Sequence, residues 1–190
     1  VGIAGVDLLQ HTHEILDHAV VAEQQVVAVQ GRRVQHGAVH LGVAMAQGAL
    51  AVDSLAPGRM RLGVGPSHKP AIEGTWGIPF ERPLQHLREY LTILRGILET
   101  GAVNFEGKRL TARAQIAGPT RVTVMASALR INGFRLVGEL ADGAISWNCP
   151  LPYLRDVAIP ALKEGAARAG RPAPPLVAHV PVVVSEDEAA

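Results

Sequence analysis

Three short stretches put small, hydrogen-bonding or charged residues where an apolar run gives way to a loop. Gly65-Pro66-Ser67-His68 leaves the run Met60 to Val64. A glycine there lets the backbone approach a flat ligand, and the Ser67 hydroxyl and the His68 imidazole offer hydrogen bonds. The plainer alternative is a tight turn with a solvated histidine. Ala126-Ser127-Ala128-Leu129 follows a second run, and Arg130 to Asn132 lead into a helical pattern. The first N–H groups of such a helix suit a phosphate, and Arg130 adds positive charge. An ordinary strand-to-helix connection competes with that assignment. Trp76 and Phe80 sit in a Gly- and Pro-rich stretch, as a lid over a ligand or as loop anchors.

Other chemistries find less support. His11, His13 and His18 stand beside Glu14 and Asp17 and suggest a metal set. On a helix, however, His11 and His18 share a face while His13 points elsewhere, and no matching ligands follow downstream, so no metal site is expected. Cys149 is the single cysteine, which excludes an internal disulfide and a Cys-rich zinc site; it reads as a buried, inert thiol in a reducing compartment. The formal net charge of +1 and the absence of Lys/Arg clusters interleaved with aromatics argue against nucleic acid and anionic membranes as partners. No apolar stretch approaches the length of a membrane span and the N-terminus lacks the order of a signal peptide, so a soluble, cytoplasmic chain is expected.

The elements that position these residues follow from periodicity. A chain of 190 residues with 48% hydrophobic and 18% charged residues has the composition of a buried-sheet protein. Met45 to Ala56 has the apolar density of a helix, stopped by Pro57-Gly58 before a strand at Met60 to Val64. Residues 67–79 read as a loop. Glu81 to Glu99 carries Leu84, Leu87, Leu91, Leu94 and Leu98 on one stripe, a helix with Glu81 in its first turn, Gly101 past its end and Arg88-Glu89 on a solvated face. Val103 to Ile116 alternates around Glu106-Gly107, a hairpin outside the main sheet. Strand, helix, strand, helix and strand follow at Arg121 to Ala126, Asn132 to Ala141, Gly143 to Trp147, Leu154 to Ala169 and Leu176 to Val184. The continuous apolar runs at 122–126 and 180–184 fit parallel strands covered on both faces, so the fold class is α/β.

Several motifs hold a common order. Arg61-Leu62-Gly63-Val64-Gly65-Pro66-Ser67-His68, Trp76-Gly77-Ile78-Pro79-Phe80-Glu81-Arg82-Pro83, His86-Leu87-Arg88-Glu89-Tyr90-Leu91, Gly138-Glu139-Leu140-Ala141-Asp142-Gly143 with Trp147 beyond it, and Gly170-Arg171-Pro172 together resemble the luciferase-like monooxygenase family. More narrowly they are similar to its branch that uses the deazaflavin coenzyme F420. The resemblance covers about residues 45–190.

It implies a (β/α)8 TIM barrel whose C-terminal strand ends hold an isoalloxazine-type ring, with a hydride moved between coenzyme F420 and a small-molecule substrate; FMN is the alternative cofactor. In this frame Gly65, Ser67, His68, Ala126, Ser127, Ala128, Leu129, Arg130, Asn132 and Trp147 are the expected cofactor contacts. For Trp147 a buried core position competes with the ring-pocket role. The family commonly has a Gly-Pro pair where Arg130-Ile131 stands here. No catalytic acid or base is named. Residues 1–44 do not resemble the opening units of the family: they hold five of the eight histidines, contain no Lys, Pro, Ser or aromatic residue, and suggest noncognate sequence. A barrel incomplete at both ends is therefore expected, since about 250 residues make a full one. Its exposed strand edges favour a homodimer or aggregation, and a nonfunctional fragment is the rival expectation.

Overall fold

The computed structural model describes residues 20–23 and 35–182. In chain order the elements are β1 (Val20–Glu23), α1 (Gln35–Leu55), β2 (Met60–Val64), α2 (Pro83–Thr100), β3 (Ala102–Glu106), β4 (Thr111–Gln115), β5 (Thr123–Ala128), α3 (Ile131–Leu140) and β6 (Gly143–Ser146). A helical run follows, with a first turn Leu151–Tyr153, a π-helical turn Leu154–Ala158 and α4 (Ile159–Arg168), before β7 (Leu176–Ala178). The main sheet has the order β1-β2-β5-β6-β7, every neighbouring pair parallel, while β3 and β4 form a separate antiparallel hairpin. Helices linking successive parallel strands, all on one side, make an arc of βα units.

The register assigns the two faces of the sheet. Val64 pairs with Ala126 and Ala126 with Ala144, and in-register neighbours of parallel strands share a face. Leu62, Val64, Val124, Ala126, Ala128 and Ala144 are buried and form one core with Leu87, Leu91, Leu94 and Leu98 of α2, Phe134 and Val137 of α3, and Leu162 of α4. Each buried Leu, Ile or Val there contributes about 1.5–3 kcal/mol, which is why the apolar stripe of α2 needs no further explanation. The opposite, inner face carries Arg61, Gly63 and Gly65 of β2 and its extension, Thr123, Met125 and Ser127 of β5, and Gly143 and Ile145 of β6.

Glycines set the closeness of α3 and α4. A Cβ on Gly138 would stand 2.1 Å from the carbonyl oxygen of Leu162, and one on Gly165 would stand 1.9 Å from that of Arg135. Asp142, between α3 and β6, then ties the sheet together. Its backbone N–H donates to the Val124 carbonyl at 2.7 Å, its Oδ2 accepts the Val124 N–H at 3.0 Å, and its Oδ1 accepts from Arg95 at 2.5 Å and Arg171 at 2.9 Å. Burial pushes the Asp142 carboxyl up, but the hydrogen bonds from Arg95 and Val124 and the two cations leave it below its ordinary value. Glu139 forms a two-pronged ion pair with Arg88. The stretch Gly138 to Gly143 is thus a scaffold at the N-terminal ends of the strands, the end of such sheets that serves stability. Gly143 caps no helix: α3 closes at Ala141 in extended geometry, and Gly143 opens β6.

Several expectations are corrected. A strand not foreseen, Val20–Glu23, pairs with β2, and the helix expected from Met45 begins at Gln35. The helix expected from Glu81 begins at Pro83, with Arg82 in the left-handed region ahead of it (φ 46°), so Glu81 precedes the first turn; Gly101 closes it as foreseen (φ 78°). The loop 67–79 contains a π-helical turn, Pro70–Thr75. The last strand is shorter than expected, ending at Ala178. Glu89 is not on a solvated face. It is 3% exposed and accepts hydrogen bonds from Gln85 and from the backbone N–H groups of Lys108, Arg109 and Leu110, which pins the β3–β4 hairpin onto α2. Gly107 leaves room for that carboxylate: a Cβ there would lie 2.5 Å from Glu89 Oε2. Among the described residues no helix is long and apolar enough to cross a membrane. His11, His13 and His18 lie outside the described residues, among which no group of three or more His, Cys, Asp or Glu is arranged to hold a metal.

Candidate functional site

Because β2, β5, β6 and β7 are parallel, their C-terminal ends share one rim. The loops leaving it carry Gly65-Pro66-Ser67-His68, Leu129-Arg130, Trp147-Asn148 and His179. This is the end of a parallel α/β sheet at which ligands bind. The strands reach it with little side-chain bulk on the inner face. A Cβ on Gly65 would lie 2.0 Å from Ser127 Oγ, and one on Gly63 would lie 3.2 Å from Ile145 Cδ1. Glycine at 65 therefore lets β2 and β5 stand side by side with the Ser127 hydroxyl between them, leaving a low floor on which a planar group can rest.

Two non-glycine residues at strand ends on this rim adopt left-handed backbone, Ser67 (φ 57°) after β2 and Asn148 (φ 46°) after β6. Such conformations cost on the order of 1–3 kcal/mol and concentrate at ligand sites. Asn tolerates this geometry best, and at Asn148 it has a use. Its Oδ1 lies 2.9 Å from His179 Nδ1, and the His179 ring stacks on Trp147 with centroids 4.5 Å apart and planes inclined by 7°. The Trp147 indole is 59% exposed, so it is a wall of the rim and not a core residue.

The remaining candidates divide. Ser127 is on the inner face, half-buried; Ser67 is half-buried and His68 exposed on the loop beyond β2. Ala126 and Ala128 are not on the inner face: both are buried in the helix-side core, Ala128 against Gly133 of α3, because strand alternation turns them away. Leu129 is 56% exposed, and its carbonyl accepts a hydrogen bond from Tyr153 Oη at 3.2 Å, which fixes the loop before α3. Arg130 is exposed in the N-cap position with extended backbone, and no side chain caps the helix, so the first N–H groups of α3 are free of side-chain acceptors at the rim. Asn132 spends its Oδ1 on Arg135 at 3.0 Å. Trp76 is 52% exposed, and the Phe80 backbone N–H is held by Glu73 Oε1 at 3.0 Å.

His179 was missed in the sequence because it stands inside an apolar run, where only the register with β6 brings it over Trp147.

The model of a family described as luciferase-like monooxygenase matches residues 36–190. The chain is 29% identical over 153 residues to 5,10-methylenetetrahydromethanopterin reductase of Archaeoglobus fulgidus, covering 78% of this chain and 46% of that protein. It is 31% identical over 141 residues to F420-dependent glucose-6-phosphate dehydrogenase of Nakamurella multipartita, covering 70% and 40%. Among solved structures, the coenzyme F420-dependent tetrahydromethanopterin reductase of Methanopyrus kandleri superposes with a TM-score of 0.66 at 25% identity, over 78% of this chain and 48% of that one. The chain thus spans under half the length of these relatives, and its five parallel strands are part of a (β/α)8 barrel.

Proposed function

The chain belongs to the luciferase-like monooxygenase family, and from that premise we propose that it supplies part of an oxidoreductase that transfers a hydride between coenzyme F420 and a small organic substrate. The observation that carries this is the rim itself, where Gly65 and Ser127 form a low floor beside the Trp147 wall. The likeness to F420-dependent relatives favours the deazaflavin over FMN.

The residues present fit such a group. A planar ring needs a floor of small residues, which Gly65 and Ser127 form, and an aromatic neighbour, which Trp147 provides. Ser127 Oγ and Ser67 offer hydrogen bonds to ring heteroatoms. The uncapped start of α3 with Arg130 suits the phosphate of the cofactor, charge standing in for the Gly-Pro geometry common in the family. When bound, the deazaflavin supplies the hydride chemistry, and the chain's share is to orient the ring, hold the substrate over it and exclude water. The side chains of Ala126 and Ala128 have no part in this, since they pack on the helices; the β5 backbone forms the floor instead. No proton donor or acceptor for the substrate is assigned.

Titrating coenzyme F420 and FMN separately into the chain, and into the protein in its longest natural form, while following quenching of the cofactor fluorescence, tests the proposal. Saturable micromolar binding of F420, tighter than FMN, is expected. Tighter binding of FMN overturns the cofactor choice, and binding of neither overturns the function.

A further inference from the structure

The last paired residues of β6 and β7 are Ser146 and Ala178, and the residues that follow them are Trp147 and His179. Strand alternation puts both on the face of Ile145 and Val177, which is the inner face. There the imidazole lies flat on the indole, with centroids 4.5 Å apart and planes 7° from parallel. Both side chains are exposed, and in water each would otherwise turn freely about its own side-chain bonds. Asn148 stops that rotation. Its amide oxygen can only accept, so His179 Nδ1–H donates to Asn148 Oδ1 over 2.9 Å, and the imidazole is fixed in direction.

Asn148 makes this bond from left-handed backbone (φ 46°), a conformation that costs about as much as an exposed hydrogen bond returns. The group therefore adds little to the stability of the fold. Its effect is to fix a plane. β6 lies between β5 and β7, so His179 reaches the indole from the β7 side, while Ser127 and Gly65 lie on the other side. The imidazole covers one face of Trp147, and the face left open is the one toward the floor of the rim.

We infer that His179 is a positioning residue of the ring site: with Asn148 it holds the Trp147 indole in place before any ligand arrives, its open face ready to pack on a flat ring. The inference rests on the reading of the rim as a ring site, and it adds a residue of β7 that acts through Trp147. A side chain ordered in advance loses no freedom when the ring binds, and affinity gains accordingly. A phenyl ring at position 179 could stack but has no N–H to bind Asn148, so the requirement is for histidine and not for aromatic character alone.

The test uses the 190-residue chain, isotope-labelled in its indole nitrogens, and three variants. His179→Phe keeps a flat ring, Asn148→Gly removes the acceptor while relieving the backbone, and Asn148→Asp keeps an acceptor. In the ligand-free, unaltered chain the Trp147 indole N–H should be as rigid as the backbone, with an order parameter of about 0.85. It should fall below about 0.6 in His179→Phe and Asn148→Gly and stay high in Asn148→Asp. The melting temperature should move by less than about 4 °C in all three. Coenzyme F420, followed by fluorescence quenching, should bind about threefold to tenfold more weakly to His179→Phe and Asn148→Gly, the effect of ordering one large side chain. A mobile indole in the unaltered chain, an equally rigid one in all four forms, unchanged F420 affinity, or a larger fall in melting temperature would each overturn the inference. Binding of neither F420 nor FMN to the unaltered chain removes the ring site and the role of His179 with it, whereas an indole that stays rigid in His179→Phe and Asn148→Gly removes the positioning role alone.

Discussion

Replacing Glu89 by Gln changes one atom of a buried side chain and should cost far more than its surface-like place in the sequence suggests. Each carboxylate oxygen has two donors: Oε1 takes Gln85 Nε2 at 2.6 Å and Lys108 N at 3.0 Å, and Oε2 takes Arg109 N at 2.8 Å and Leu110 N at 2.7 Å. The amide of Gln must replace one oxygen. The cheaper orientation sets its NH2 in the Oε1 place, where Gln85 can turn its carbonyl to accept and only the Lys108 N–H loses its acceptor. That orphan costs about 1–3 kcal/mol, and weakening the two remaining charge-assisted bonds adds about 1 kcal/mol each, so about 3–5 kcal/mol is expected in all. For a chain of this size that is about 6–20 °C in Tm. The penalty should also depend on pH. Burial raises the Glu89 pKa, but the hydrogen bonds from Gln85 and the three backbone N–H groups outweigh it and leave it below its ordinary value. A lowered folded-state pKa contributes stability that is complete above the unfolded value and disappears as pH falls through the folded one. Urea melts of both forms between pH 7 and pH 3 should therefore show a gap that is constant above about pH 5 and closes in acid. A gap under about 0.5 kcal/mol at pH 7, or one that widens in acid, would refute the account of how the hairpin is held.

Gly165→Ala drives a methyl group against the Arg135 carbonyl, 1.9 Å from its ideal position, and should lower stability by about 1–3 kcal/mol despite the better helix propensity of Ala, measured by thermal melting. Asp142→Asn removes the anion that accepts from Arg95, Arg171 and Val124 N–H; stability at neutral pH should fall by about 1–3 kcal/mol, and the loss should shrink in acid as pH drops through the lowered folded-state pKa of Asp142. Gly65→Ala sets a Cβ 2.0 Å from Ser127 Oγ and should weaken F420 binding at least about tenfold, with partial recovery in the Gly65→Ala/Ser127→Gly pair, as read by fluorescence titration.

What the sequence exposed, and what it hid, follow the range of the interactions. Met60–Val64 was legible to the residue, because a buried strand between a helix and a Gly-Pro turn is defined by its own neighbours. The hairpin and the Gly101 stop of α2 were legible for the same reason. Glu89 was not, since its three backbone donors are about twenty residues away and periodicity along a helix does not report what packs on its polar side. The position of Gly65, Ser127 and Trp147 at strand ends was legible because each follows or closes its own apolar run. The misplacement of Ala126 and Ala128 came from treating a strand end as a list of residues when alternate ones face opposite sides. Residues 20–23 escaped because four strand residues in a Val- and Gln-rich stretch carry no alternation long enough to register.

The most direct test of the ring site is amide chemical-shift mapping of the chain as coenzyme F420 is added. The largest changes should fall at Gly65 to His68, Ser127 to Asn132 and Trp147-Asn148, together on the C-terminal rim. Changes centred instead on Arg95, Arg121 and Asp142, at the opposite ends of the strands, would contradict it.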